Sequence, residues 1–253
     1  HVLEAVIDGG KPLAWRHRIA SQSIVSRWVP GFLPEWLVTL VSPIKNGVDP
    51  TAVEGAAEMP YAIANVRVEW MPVETPVPVG FWRSVGHSYT GFVVESFIDE
   101  LAHAAGADPF EFRRGLLGNA PRHLKVLELA ADKAGWARPP AAGRHRGIAV
   151  HESFGTVVAE VAEVSVDQGE IRVHRVVCAV DCGLAVNPST IEAQIAGGVV
   201  FGLSAALRGE ITIENGRVQQ SNFHDYASLR LMETPQIEVH LVAQRQALRV
   251  TAE

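Results

Sequence analysis

The chain has 253 residues, 47% of them hydrophobic and 20% charged, with a formal net charge of -6. That apolar content suffices for a sizeable core, and the charge gives no electrostatic case for nucleic acid or an anionic membrane as partner. Two cysteines, Cys178 and Cys182, are too few to ligate an iron–sulfur cluster and read as small side chains in or beside an apolar strand.

No stretch reaches about 18 uninterrupted apolar residues, so no membrane span is expected. The nearest, Trp28 to Val41, contains Pro30, Pro34 and Glu35. No signal peptide is seen and the chain begins on His1, in what reads as mid-strand, so a fragment or one piece of a larger subunit is expected.

Residues 1–28 alternate apolar and polar positions, with Val2, Ala5 and Ile7 before Asp8-Gly9-Gly10 and Leu13 and Trp15 after it. This predicts a hairpin. Residues 29–60, rich in Pro and Gly, read as an irregular insert with one or two short helical turns. Tyr61 to Trp70 alternates again and predicts a strand. Pro72, Pro76 and Pro78 then force an extended path into Gly80-Phe81-Trp82-Arg83-Ser84-Val85-Gly86-His87. Two glycines there flank an aromatic ring, a guanidinium and a hydroxyl. By residue type this is first of all a structural turn, with Trp82 in the core and Arg83 on a surface carboxylate. It also suits a loop pressed against a ligand with anionic oxygens.

Three helices follow. Phe92 to Ala105 carries an apolar stripe of Val94, Phe97, Ile98 and Leu101, and Gly106 ends it. Asp108-Pro109 caps a second, running to about Leu117, and Arg122 to Ala134 is the third. Arg138 to Arg146 reads as a surface linker. It divides a first part, residues 1–146, from a second α+β part, residues 147–253.

From Gly147 the period shortens to two. Ile148 to Val150 leads into His151-Glu152-Ser153-Phe154-Gly155, and strands over Val157–Val166 and Ile171–Val180 flank a hairpin loop at Asp167-Gln168-Gly169-Glu170. His151-Glu152-Ser153 is not read as hydrolytic, because no Gly-x-Ser-x-Gly turn occurs. Without His-x-x-x-His or Cys-x-x-Cys, no protein-ligated metal is expected either, and no catalytic residue is assigned. Asp181-Cys182-Gly183 then turns the chain. Asn187 is a good N-cap and Pro188 a good first residue for a helix to Leu207. Gln194, Gly197, Gly198 and Phe201 share one of its faces. Two adjacent glycines cost about 1 kcal/mol each in a helix, which implies a close backbone or ligand approach. Asn215-Gly216 marks a hairpin between Gly209–Ile213 and Arg217–Phe223, and Ile237 to Val242 is the last strand.

Taken together, GFWRSVG (Gly80 to Gly86), VVESFIDELA (Val93 to Ala102), HESFG (His151 to Gly155) and the ordered series Asp181-Cys182-Gly183, Asn187-Pro188, Gln194, Gly197-Gly198, Gly202-Leu203 resemble the large subunit of the molybdenum hydroxylases, or xanthine dehydrogenase family. The isoquinoline 1-oxidoreductase beta-subunit type is the nearest in pattern. The resemblance covers most of the chain. It implies an α+β fold, mixed sheets with packed helices, forming part of a molybdopterin-binding large subunit. It also reverses the first reading of the Gly80–Gly86 loop. Trp82, Arg83 and Ser84 are implied to lie along a molybdenum–molybdopterin cofactor, in its cytosine dinucleotide form, and Val85 to face substrate. Gln194 is implied as an amide contact to the pterin, with Gly197 and Gly198 beside it. Xanthine dehydrogenases have Phe-Arg-Gly-Phe-Gly at the loop, so the smaller Val85 implies a different or wider pocket.

The implied reaction hydroxylates a carbon of an N-heterocycle or an aldehyde, with oxygen from water. The implied partners are a small iron–sulfur subunit, which alone carries the clusters, and the remaining part of the large subunit. The resemblance does not choose a compartment, and bacterial cytoplasm and periplasm both stay open. Two family segments have no counterpart here: a Gly-Val-Gly-Glu turn with the catalytic base, where this chain reads Arg245-Gln246-Ala247-Leu248, and a Met-Gly-Gln-Gly segment. A catalytically inactive truncated or split subunit, acting only as a binding piece with a partner chain, is the alternative expectation.

Overall fold

The computed structural model describes residues 1–28, 31–32 and 47–242. The sequence readings over 29–30, 33–46 and 243–253, including Arg245–Leu248, lie outside the described residues. The chain forms two compact units. The first comprises His1–Leu124 with His151–Phe154, and the second Lys125–Val150 with Gly155 onward.

The first unit opens on the expected hairpin, β1 (Val2–Asp8) and β2 (Lys11–Ser21). Gly9 and Gly10 both take left-handed backbone angles, φ 55° and 76°, the geometry a two-residue hairpin turn needs. Strand β3 (Asn65–Pro72) adds parallel to β2, giving the order β1-β2-β3. Alternation along β2 buries Trp15, His17 and Ile19. Trp15 meets Phe97 edge-on at 4.9 Å between ring centroids. Phe97 belongs to α3 (His87–Ala104), which follows the short α1 (Ile24–Trp28) and α2 (Pro50–Val53) and buries Val94, Ile98, Leu101 and Ala102. Full burial of Val94, Ile98 and Leu101 is worth about 1.5–3 kcal/mol each.

Helix α4 (Pro109–Leu116) starts as its sequence dictates, with the Asp108 carboxylate accepting from the amides of Phe110 and Glu111. It sets Arg113 against α3, donating to Glu95 at 2.9 Å and Asp99 at 2.5 Å. The Tyr61 hydroxyl donates to the same Glu95 at 2.7 Å. That pull explains a difference from the sequence reading. Tyr61 is buried coil rather than strand, and β3 begins only at Asn65.

The second unit is built on a sheet of order β4-β5-β6-β9: β4 (His145–Ser153), β5 (Thr156–Asp167), β6 (Glu170–Asp181) and β9 (Gln236–Leu241). Strands β5 and β6 pair antiparallel through the Gln168-Gly169 turn, and β9 joins β6 parallel. Helix α5 (Pro121–Ala134) precedes the sheet. Arg175 of β6 donates to the Lys133 and Ala134 carbonyls at its end while pairing with Glu238. Between β6 and β9 come helix α6 (Pro188–Leu207) and a hairpin, β7 (Ile213–Glu214) and β8 (Arg217–Val218). That hairpin turns at Asn215-Gly216 as expected, but its strands are two residues each, shorter than the alternation suggested.

Strand β4 runs through Ser153, and Phe154-Gly155 form a two-residue turn into β5, with φ 49° and 78°.

Candidate cofactor-binding site

The Trp82–Val85 loop precedes α3. Trp82 and Arg83 are exposed, and Ser84 and Val85 are half-buried. Two consecutive turns shape it, with the Val85 amide donating to the Trp82 carbonyl at 3.0 Å and the His87 amide to the Ser84 carbonyl at 3.1 Å. Ser84 and Val85 both hold left-handed angles, φ 69° and 50°. A β-branched residue in that region is an outlier held by its surroundings, and such outliers cluster at ligand-binding turns.

Helix α3 starts at His87, five residues before the sequence reading. The cause lies elsewhere in the chain. Glu54, just after α2, accepts from the Gly86 amide at 2.6 Å. The Thr90 hydroxyl donates to the Glu54 carbonyl at 2.7 Å, and the Tyr89 hydroxyl donates to the Thr51 carbonyl at 3.2 Å. Burial, then Glu54 and Asp49, pushes the Tyr89 phenol up to about 12. Asp49 itself caps α2 and accepts from Ser23 at 2.5 Å, tying the assembly to the end of β2.

A histidine pair stands at the same helix end. His87 Nδ1 lies 2.9 Å from His151 Nε2, and His87 Nε2 lies 3.9 Å from Glu54. Burial, then His87 and His123, lowers the His151 ring to about 4, so it is neutral at pH 7. Sequence reasoning missed Glu54 altogether, because it sits in the irregular insert. The signal available was the glycine at each contact, Gly55 and Gly86.

In the second unit, β6 ends in Asp181-Cys182-Gly183, where the Gly183 amide donates to the Asp181 carboxylate at 3.1 Å. Asn187 then caps α6, accepting from the Thr190 amide at 3.2 Å. Ile191, Ile195, Val199 and Leu203 pack on the sheet with Val176, Cys178 and Val180. Gln194, Gly197 and Phe201 are exposed on the other side, with Gly198 half-buried beside them. A Cβ added at Gly197 or Gly198 would meet nothing within 4 Å. Among the described residues no backbone makes the expected close approach to these glycines, and the notch they leave is open there. Helix α6 is also the one helix among the described residues long and apolar enough to cross a membrane. Its inner stripe is accounted for by packing on the sheet.

The structure thus groups the predicted residues into two sets, Trp82–Val85 in the first unit and Gln194, Gly197 and Gly198 in the second. Comparison with known proteins gives the family and the fold. Residues 98–235 match the family described as a molybdopterin cofactor-binding domain, and residues 41–116 match a second family of the same description. This chain belongs to the molybdenum hydroxylase large-subunit family. The beta chain of isoquinoline 1-oxidoreductase from Brevundimonas diminuta is 34% identical over 95% of this chain and 30% of its own length. A nicotinate dehydrogenase chain from Pseudomonas putida is 34% identical over 72% of this chain and 17% of its own length. The chain therefore spans about a third or less of these relatives. The crystal structure of quinoline 2-oxidoreductase from Pseudomonas putida superposes with a TM-score of 0.73 over 96% of this chain and 55% of that one, at 14% identity, which establishes the shared fold.

The residues of this molybdenum hydroxylase chain suit the group that its family binds. A pterin cofactor is flat, polar and anionic. Arg83 offers an exposed planar guanidinium, Gln194 an exposed amide with donor and acceptor together, and the Gly197–Gly198 notch room for close approach. Among the described residues no group of three or more His, Cys, Asp or Glu side chains is placed to hold a metal ion.

Proposed function

We propose that this chain is part of a molybdopterin-dependent oxidoreductase that hydroxylates N-heterocyclic or aldehyde carbons with water as the oxygen source. One observation carries the reading: the family match over residues 98–235 joined to 34% identity with the beta chain of an isoquinoline 1-oxidoreductase along 95% of this one. Isoquinoline and nicotinate, in the names of two relatives, are both N-heterocycles. The cofactor is molybdenum–molybdopterin in its cytosine dinucleotide form, and a small iron–sulfur subunit is the electron-accepting partner.

The protein's part is binding, orientation and electrostatics. Arg83 and the loop amides bind anionic oxygens, the Trp82 indole lies along the ring system, and Ser84 donates or accepts at the turn. Gln194 fixes the pterin by its amide, and Gly197 and Gly198 let it approach the helix. Val85 faces the substrate. When bound, the molybdenum group supplies the oxygen-transfer and two-electron chemistry.

The test uses the full-length large subunit with its partner. Gln194→Ala should lower molybdenum content at least about tenfold while leaving the melting temperature within about 2 °C, as loss of one exposed amide costs little stability. Normal molybdenum content and turnover in that variant would refute Gln194's role. Turnover of isoquinoline or nicotinate in 18O-labelled water should place the label in product, and unlabelled product would refute the water-derived step.

A further inference from the structure

At the foot of the Trp82–Val85 loop, three titratable side chains from three parts of the first unit converge. Glu54 follows α2, His87 opens α3 and His151 lies near the end of β4. The Glu54 carboxylate faces two ways. One oxygen accepts from the Gly86 amide at 2.6 Å, and the other lies 3.9 Å from His87 Nε2. A carboxylate at a helix N-terminus is also favoured by the helix dipole.

Packing here leaves no slack. A Cβ on Gly86 would stand 2.1 Å from the Thr51 carbonyl oxygen and 2.8 Å from Glu54 Cγ. A Cβ on Gly55 would stand 2.6 Å from the Thr90 hydroxyl, 2.8 Å from His87 Nδ1 and 2.9 Å from His151 Cε1. The rings themselves select one hydrogen-bond polarity. A carboxylate beside His87 Nε2 favours a proton on that nitrogen, which leaves Nδ1 as acceptor and His151 Nε2–H as donor. The charged and titratable groups around this set are Asp49 and Tyr89 toward α2, Glu58 on the Gly55 amide, and His123, Arg122 and Glu152 on the far side of His151. No metal-holding group of three is formed among the described residues.

What lies directly above is the unusual part of the loop. Ser84 and Val85 sit in left-handed angles that favour glycine, and Gly86 follows immediately. We propose that Glu54, through the Gly86 amide and the His87–His151 pair, is a positioning residue that holds Ser84 and Val85 in their left-handed turn. This rests on the proposed role of the loop in contacting cofactor and substrate. Removing the carboxylate leaves the Gly86 amide without its acceptor and frees His87, so the turn relaxes toward ordinary backbone angles. Glutamine keeps an oxygen acceptor for Gly86 but not the charge facing His87, so it preserves most of the turn.

The experiment is amide hydrogen exchange on the full-length subunit with its partner, alongside steady-state kinetics per bound molybdenum. Glu54→Ala should speed exchange over residues 85–87 about tenfold or more, with Val94–Ala104 unchanged, since opening is local. The same variant should lower kcat about tenfold with a smaller change in KM, as loss of an interaction that orients the reacting groups does. Glu54→Gln should recover most of both. If Glu54→Ala does not fold, His87→Phe carries the test, with faster exchange at 85–87 expected. Unchanged exchange in Glu54→Ala, or in His87→Phe, overturns the positioning role. Faster exchange with unchanged turnover overturns instead the reading of the loop as part of the active site.

Discussion

The Arg113 guanidinium is fully buried, and burial works against its charge. Glu95, Tyr61 and Asp99 outweigh that burial and hold it above the ordinary arginine range. Truncating it strands Glu95 in the core, so Arg113→Ala should cost about 3–5 kcal/mol, read as a lowered urea midpoint. Arg83 is exposed, and Arg83→Ala should cost within about 0.5 kcal/mol while lowering turnover. A large stability loss with normal turnover would return Arg83 to a structural role. Glu160 is a third kind of case. It is half-buried on β5, 3.7 Å from the Cys178 thiol, and burial raises its carboxyl above 4.5. An acid raised by folding releases its proton more readily when unfolded, so it opposes folding as pH climbs past its unfolded value. Glu160→Gln should therefore gain stability over the native chain at pH 8, and the gain should vanish near pH 4. Thermal melts of both proteins across that range decide it.

Elements that depend on local chemistry were legible in the sequence. Asp108-Pro109 and Asn187-Pro188 started α4 and α6 where their caps dictated, and Asn215-Gly216 turned its hairpin. Elements set by distant partners were not. The early start of α3 depends on Glu54, more than thirty residues away, and the late start of β3 on Tyr61 reaching Glu95. The left-handed angles at Ser84 and Val85 leave no mark in residue type, because serine and valine do not advertise them. The Gly197-Gly198 pair was visible as a helix cost, but only the coordinates show the notch to be open. That openness makes a sharp prediction for α6. Gly197→Ala meets no clash, so it should stabilise the helix by up to about 1 kcal/mol. If the notch receives the cofactor, the same variant should lose molybdenum in the full subunit. Greater stability with full molybdenum content would leave the glycine without a binding role.

Over the whole molecule, charge and burial set a pH profile that any thermal scan can read. His151 is lowered to about 4 from an ordinary 6.5, and His123 is lowered too, mainly by burial. A histidine neutral in the fold and protonated when unfolded stabilises above about pH 6.5 and loses that contribution as pH falls toward 4. His151 alone accounts for at most ~3 kcal/mol of this. Carboxylates add a second, more acidic loss. Glu163 is held down by Arg144 and Arg146, and Glu238 by Arg175, so their stabilisation is complete above about 4.5 and fades below it. The melting temperature should thus be level from pH 9 to 7, slope downward from 6.5, and steepen below 4.5. His151→Gln should make the first slope shallower, with His123 still contributing, and keep the second. If the variant declines between pH 6.5 and 4.5 as steeply as the native chain does, His151 is not a group that senses acid.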